Sequence, residues 1–445
     1  MSDDERPQDE PESLRTDGAG VGGEASPGPA GAQESLTLLL RDLRNHEFAV
    51  IGAAALALVV FPYLLIDGLG ALGSLIGFRI GGYEGLASLV LIYGIIVVGF
   101  NLLLGYTELL SFGHAAFFGA AAYTAGLLSS TAEISPPFTE ASMTMPGIGS
   151  PLVMLTAGTL VAVLLAWPIG ILSIRRSGVY FAVLTLTFGQ MLYFFALGPG
   201  AGITNGDNGF ADVNVEPLLG VFDLGAELPV VTTVEYLFVG VLFLLALTVA
   251  NRIINSPYGL ILKALGENEQ RVAFVGLNVF RYKLMAFIIS GAFAGLGGAL
   301  FIMHEQYIHP TTALYWIQSG DFVIMTVLGG TGSLIAPVFG AFMFEYVSNV
   351  ISGVTLPVIG RIGSLWRLIL GAVFVIIIWN APRGIYGGLV DLKRALLVGL
   401  RRLVWASQHP QKASEALRGW AALRGRRVLA IADRLPGRGG PGGER

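Results

Sequence analysis

Between residues 48 and 380 the chain alternates apolar runs with shorter polar stretches. Many of the runs are continuous and close to the ~20 residues that a helix needs to cross a bilayer. This is not the alternation over ~10 residues that marks the strand of an outer-membrane barrel. The pattern predicts ten membrane helices, at residues 48–66, 86–104, 110–128, 152–174, 179–197, 234–251, 283–303, 315–328, 334–354 and 365–380. The eighth is short and carries Asp321. The expected fold class is an all-α polytopic integral membrane protein of about ten transmembrane helices.

The polar stretches orient these helices. Basic residues gather after position 174 (Arg175, Arg176), through 252–283 (Arg252, Lys263, Arg271, Arg281, Lys283) and after position 382. The stretches 129–150 and 198–233 hold no Lys or Arg, only acids such as Glu133, Glu140, Asp207, Asp212, Asp223 and Glu227. Cytoplasmic loops carry the excess of Lys and Arg. Ten alternating spans with both termini cytoplasmic put every basic segment inside and both acid-only loops outside, with Arg79 and Arg361 as exceptions. Residues 1–46 are acidic, polar and rich in Gly and Pro. They hold too little apolar area to offset chain ordering and are expected to be a disordered cytoplasmic tail. Residues 391–445 read as a basic cytoplasmic tail suited to lie near anionic membrane lipid. Nothing points to nucleic acid as a partner. Residues 47–390 between them form the transmembrane domain, and the first apolar run reads as an uncleaved span, not a signal peptide.

Composition supports the class. Charged residues are 13% of the chain, against ~25% in a typical soluble domain. The 61 glycines are about twice the usual share and suit close helix packing in a membrane. The absence of cysteine excludes disulfides, thiol catalysis and Cys-based metal sites. No Gly-Lys pair occurs, so the lysine of a phosphate-binding loop is missing. ATP-driven work would therefore need a nucleotide site on another chain. Two look-alikes fail. In HEQYIH, His309 follows His304 by five positions, whereas two zinc ligands on one helix face need four; an interfacial loop is expected there. GPGAG at 198–202 lacks the lysine of a phosphate loop. No nucleophile–base pair lies in the spans, so no catalytic or metal site is expected.

The long charged stretch 252–283 is unusual between two apolar runs. After Pro257, residues 259–265 can form a short helix that Gly266 ends. Asn268 is a good N-cap for a second short helix, with Glu269 near the positive end of its dipole. Gly276 can stop that helix in the left-handed conformation. The result is a knob bearing Glu267, Glu269, Gln270 and Arg271 beside apolar Ala273, Phe274 and Val275. On local physics it is either an ordinary surface helix or a body that a groove on another protein grips.

Polar residues inside or at the edge of apolar spans are costly and often functional. Asn101, His114 and Gln190 are candidates for lining a path, or for fixing neighbouring helices by hydrogen bonds. His114, at a helix start, reads more as structure. The turn TNGDNG, with Thr204, Asn205 and Asn208, either lines an outer mouth that binds substrate or is only a tight turn. GGTGS at 329–333 reads as a cytoplasmic turn or a non-helical segment beside the path. A faint echo between SFGHAAFFGAAAY and SLIAPVFGAFMFEY is compatible with a duplicated half.

Several segments together resemble the LivM-type permeases of branched-chain amino acid ATP-binding-cassette (ABC) importers. They are NLLLGYTELLSFGHAAFFGAAAY (101–123), LTLTFGQM (184–191), ITNGDNG (203–209), the knob followed by RYKLMAFIISGAFAGLGGAL (281–300), VLGGTGSLIAPVFGA (327–341) and RGIYG (383–387). Asn205 stands where the family usually has a glycine. The resemblance implies that Gly266, Glu267, Asn268, Glu269, Arg271 and Gly276 belong to a coupling loop for separate ATPases. It implies four kinds of partner: a homologous second permease subunit of LivH type, two ATPase subunits, an extracytoplasmic solute-binding protein and membrane lipid. No cofactor is expected on this chain, since ATP and Mg would sit on the partners. The implied location is a prokaryotic cell membrane, multi-pass, and the implied cargo leucine, isoleucine and valine. Urea, short amides or another small polar solute fit the same architecture. An ion-coupled secondary transporter would need coupling acids, for which Asp321 and Glu345 are the nearest candidates.

Overall fold

The computed structural model describes residues 52, 55–76, 83–130, 133–134, 143–144, 147–176, 178–211, 213–228, 233–349, 355–356, 360–361, 365–380, 384–388 and 393. The two expected tails, 1–46 and 391–445, lie outside the described residues apart from Lys393. The helices below all belong to one unit, Ala53–Arg445.

The first apolar run forms α1 (residues 55–63), passes through a π-helical stretch, Leu64–Gly68, and continues as α2 (Leu69–Ile76). Then come α3 (Glu84–Thr107), α4 (His114–Ser129), α5 (Pro151–Ser173), α6 (Val179–Leu197), the single turn α7 (Ala201–Thr204) and α8 (Val234–Ile254). The charged stretch forms α9 (Pro257–Glu267) and α10 (Glu269–Phe274). It leads into α11 (Val279–Glu305), the turn α12 (Pro310–Ala313), α13 (Trp316–Gly329), α14 (Ala336–Asn349) and α15 (Trp366–Asn380). A 3-10 turn, Gly206–Asn208, and two antiparallel strand pairs, Glu133–Ile134 with Met143–Thr144 and Thr355–Leu356 with Gly360–Arg361, accompany the helices. Each predicted span therefore overlaps a helix. Among the described residues, five helices are long and apolar enough to cross a membrane: Gly85–Thr107, Pro151–Ser173, Val179–Leu197, Val234–Ile254 and Val279–Glu305.

Burial sorts these helices. The membrane-length part of α3 is wholly buried. It packs against α8, α9, α11, α13 and α14. By contrast α5, α6 and α8 turn apolar side chains outward, among them Leu160, Leu164, Trp167, Met191, Phe194 and Leu245. A water-facing helix would carry polar groups there, so these faces suit lipid or another apolar helix.

Glycine lets α11 approach its neighbours. A Cβ on Gly298 would lie 2.1 Å from the Phe118 carbonyl of α4, and one on Gly295 would lie 2.3 Å from Ala162 of α5. Close backbone approach of this kind is what holds helices together where no hydrophobic driving force acts between them. Tyr93, Phe118, Phe301 and Phe322 then join α3, α4, α11 and α13 through tilted and edge-on ring contacts.

The fold keeps the two classes of loop apart. The knob α9–α10 leads into the N-terminal end of α11. Phe210, in the acid-only stretch, pairs its backbone with Ile308 just past the C-terminal end of α11. A 27-residue helix is roughly 40 Å long at 1.5 Å per residue. The charged stretch 252–283 and the acid-only stretch 198–233 thus meet opposite ends of α11.

Gly298→Ala is expected to lower the thermal stability of the purified chain in detergent, by an overpacking cost of about 1–3 kcal/mol. Gly320→Ala, where a Cβ meets nothing within 4 Å, is the control and should leave stability unchanged or raised. A melting curve followed by size-exclusion of the soluble fraction checks both.

Candidate functional site

The knob is rigid for identifiable reasons. Ser256 caps α9 by accepting from the Gly259 amide, and Pro257 stands at the first turn, where its missing N–H costs nothing. The helix runs on through Gly266 to Glu267. Asn268 is extended, ends α9, and caps α10 by accepting from the Arg271 amide at 3.0 Å. Gly276 has φ of +87° and turns the chain toward α11. The caps at Asn268 and Gly276 are those expected from the sequence. The role expected for Gly266 needs correction, because it does not end the helix. A Cβ there would lie 2.8 Å from the Tyr106 carbonyl, so glycine permits α9 to seat on the end of α3.

Four contacts fasten the knob to the bundle. Leu262, Leu265 and Val272 are buried beneath it. The Lys263 ammonium lies 5.6 Å over the Tyr106 ring, a favourable cation–π position. The Tyr258 hydroxyl donates to the Tyr282 carbonyl at 3.0 Å while the two rings stack at 5.8 Å. Burial, with the Tyr282 phenol beside it, pushes the Tyr258 phenol up, so it stays protonated and keeps donating. Finally, the Lys283 ammonium donates to Glu269 Oε2 at 2.5 Å. Lys283 is 6% exposed, and a buried ammonium needs a partner. Glu269, expected from the sequence to favour the helix dipole and to belong to the coupling loop, is that partner.

What remains exposed is informative. Phe274 is 88% exposed, Val275 80% and Leu260 64%. Glu267, Gln270 and Arg271 are exposed beside them. Large apolar residues held outward by a capped helix, rimmed by charge, are the composition of a protein-contact surface.

The polar candidates in the spans separate. Asn101 uses both ends of its amide on the glycine break between α13 and α14, donating to the Ser333 carbonyl at 2.9 Å and accepting from the Gly332 amide at 3.1 Å. His114 is fully buried, with Nδ1 3.0 Å from the Ser111 hydroxyl and Nε2 2.8 Å from the Ser290 hydroxyl. Phe100, Phe117 and Phe287 surround its ring. Nearby, the Phe112 amide donates to Thr185 Oγ1 and the Ala115 amide to Ser319 Oγ. These groups satisfy the backbone where α3 gives way to α4. Gln190 differs, since its Nε2 is buried without a hydrogen-bond partner among the described residues.

At the opposite end of α11, Thr204 is buried and donates to the Ala196 carbonyl, and Asn205 is left-handed with φ of +61° and donates to the Gly209 carbonyl at 2.8 Å. Asn208 is exposed. A cavity of about 810 Å³ opens here, lined by Asn205 but by neither Thr204 nor Asn208. Its other polar side chains, Ser129, Ser130, Asn214 and Glu216, were not foreseen from the sequence; the Ser130 hydroxyl is buried without a hydrogen-bond partner among the described residues. The HEQYIH histidines diverge. His304 sits in the last turn of α11, not in a loop, with Nδ1 2.6 Å from Glu235, and His309 faces the Asp207 carbonyl. No group of three metal-binding side chains occurs among the described residues. Glu345, one of the two acids named as nearest candidates for ion coupling, is buried and accepts from Asn349 of its own helix at 2.9 Å.

Comparison with known proteins decides the family. The model of the branched-chain amino acid transport system permease component matches residues 82–378. The chain belongs to that family. It is 28% identical over 324 residues to the high-affinity branched-chain amino acid transport system permease protein LivM of Escherichia coli (strain K12), covering 68% of this chain and 70% of that one. The corresponding LivM of Salmonella typhimurium is 28% identical over 321 residues, with the same shares. The ribose import permease protein RbsC of Escherichia coli (strain K12) is 26% identical over 166 residues, 36% of this chain and 48% of that one. No solved structure matches. The chain is thus a membrane-embedded permease component of an ABC transporter.

The Lys283–Glu269 pair gives a direct check of knob rigidity. Glu269 is half-exposed, so losing the pair is expected to cost about 1.5 kcal/mol, between the ~0.5 of a surface pair and the ~3 of a buried one. Lys283→Met should therefore speed amide hydrogen exchange of residues 270–275 about tenfold, and the exchanged pair Lys283→Glu with Glu269→Lys should recover much of that loss.

Proposed function

We propose that this chain is a permease subunit of an ATP-driven importer for branched-chain amino acids, and that α9–α10 is the surface through which separate ATPase subunits drive it. The observation that carries the reading is the knob itself, capped at both helices, fastened to α3 and α11, yet holding Phe274 and Val275 in the open. A groove on a partner can grip such a body, and a stiff body transmits displacement where a mobile loop absorbs it. Two ATPases would close on ATP and push the knob, and the helices would rock as rigid units about a central path. No nucleotide or metal site is needed on this chain for that work.

The outer cavity supports the delivery end of the same reading. An external solute-binding protein would release cargo near Asn205, Asn214 and Glu216, where amides, hydroxyls and one carboxylate can meet a zwitterion's charged groups. The outward apolar faces of α5 and α6 suit lipid or a homologous second permease subunit in a prokaryotic cell membrane. The cargo assignment rests on the family's description and the LivM relatives. Others in the wider group are named for ribose or nucleosides.

Uptake of labelled leucine by vesicles holding this chain with its ATPases, second permease and binding protein tests the reading. ATP-dependent uptake, competed by isoleucine and valine but not by ribose or urea, is expected. Competition by ribose or urea alone would change the cargo, and uptake by this chain alone on an ion gradient would overturn the importer. Glu267→Arg, on the exposed knob face, should reduce ATP-dependent uptake at least tenfold without removing the protein from the membrane. Normal uptake by this variant would contradict the role of the knob.

A further inference from the structure

One residue touches both the knob and the glycine break that separates α13 from α14. Tyr106, in the last turn of α3, lies with its ring under Lys263 of α9 and its carbonyl against Gly266 of α9. Its hydroxyl donates to the Gly332 carbonyl in the break at 3.2 Å. From the turn below, Asn101 holds Gly332 and its neighbour Ser333 through both ends of its amide. The contacts are close enough to exclude slack. A Cβ on Gly105 would lie 2.7 Å from the Gly332 amide nitrogen, and one on Gly384 would lie 2.5 Å from the Gly330 backbone.

The break has the properties of a joint. Gly330 and Gly332 have φ of +119° and +80°, conformations from which only glycine moves freely. Thr331 and Gly332 are exposed. On either side, α13 and α14 have 14 residues each, roughly 21 Å at the helical rise. They pack on each other and both pack on α3. A joint between two short helices, fastened at one point to the end of a buried helix, moves where that end moves.

We propose that Tyr106 is a positioning residue that ties the knob to the α13–α14 break, so that displacement of the knob is passed to this helix pair. The link stands on the contacts above. Its part in transport rests on the importer reading, and the two are tested apart.

The link is tested in the full chain alone, by hydrogen exchange. Gly266→Ala, and the milder Lys263→Leu, disturb the knob side. Each should speed exchange of the amides of residues 331–334 at least fivefold, although neither residue touches the break. In a Tyr106→Phe background, which keeps the ring and removes the hydroxyl, the same knob substitutions should change exchange in the break less than twofold. Exchange that responds only within residues 257–276, or a response in the break that survives Tyr106→Phe, overturns the link. In the reconstituted importer, Tyr106→Phe should keep ATP hydrolysis within twofold of wild type and lower transport per ATP at least threefold. An unchanged ratio overturns transmission through Tyr106. If the wild-type assembly itself shows no ATP-dependent uptake, the importer reading fails, while the exchange result still decides the link.

Discussion

Where a helix breaks inside a packed bundle, the amides and carbonyls it frees must find new partners, because an unpaired buried backbone group is costly. Much of the polar chemistry in this bundle answers that constraint. Where α3 gives way to α4, the hydroxyls of Thr185 and Ser319 accept from the amides of Phe112 and Ala115, and His114 spans two serines. Where α13 gives way to α14, Asn101 and Tyr106 hold Gly332 and Ser333. The partners come from α3, α6, α11 and α13. Satisfying the breaks therefore also fixes the helices to one another, and gives the knob a firm base at the end of α3.

That base explains how a six-residue helix holds its shape. An isolated helix of this length would not persist in water. α10 persists because Asn268 caps it, Val272 is buried under it and Glu269 neutralises a buried ammonium. These contacts leave Phe274 and Val275 exposed. An exposed apolar pair on a fixed support, rimmed by charge, has the composition of a protein-contact surface, and in the proposed function it meets the ATPase subunits.

The helix order and the caps were legible in the sequence because they depend on local rules. Asn268 and Gly276 do what an N-cap and a left-handed stop do anywhere, and each apolar run overlaps a helix, five of the described helices being of membrane-spanning length. Contacts between distant positions were not legible. Nothing near Asn101 in sequence points to Ser333, and nothing near Lys283 marks Glu269 as its counter-ion in place of another acid of the knob. Gly266 was misread for the same reason, since its glycine answers the Tyr106 carbonyl of another helix and not the end of its own. The cavity at the far end of α11 from the knob was half-legible. Asn205 stood out in a glycine-rich turn, while Ser129, Ser130 and Glu216 join it only through the fold.

The account holds that the knob and the glycine break move as one body. The chain has no cysteine, so spin labels placed at Arg271→Cys and Thr331→Cys, both exposed positions, report on that pair alone. Their distance would be measured by pulsed electron resonance in the assembled importer, without nucleotide and during ATP turnover. One narrow distance distribution, unchanged between the two states, is the predicted result. A broad distribution, or a distance that shifts with ATP, would show that the knob slides on the bundle, and would contradict the account.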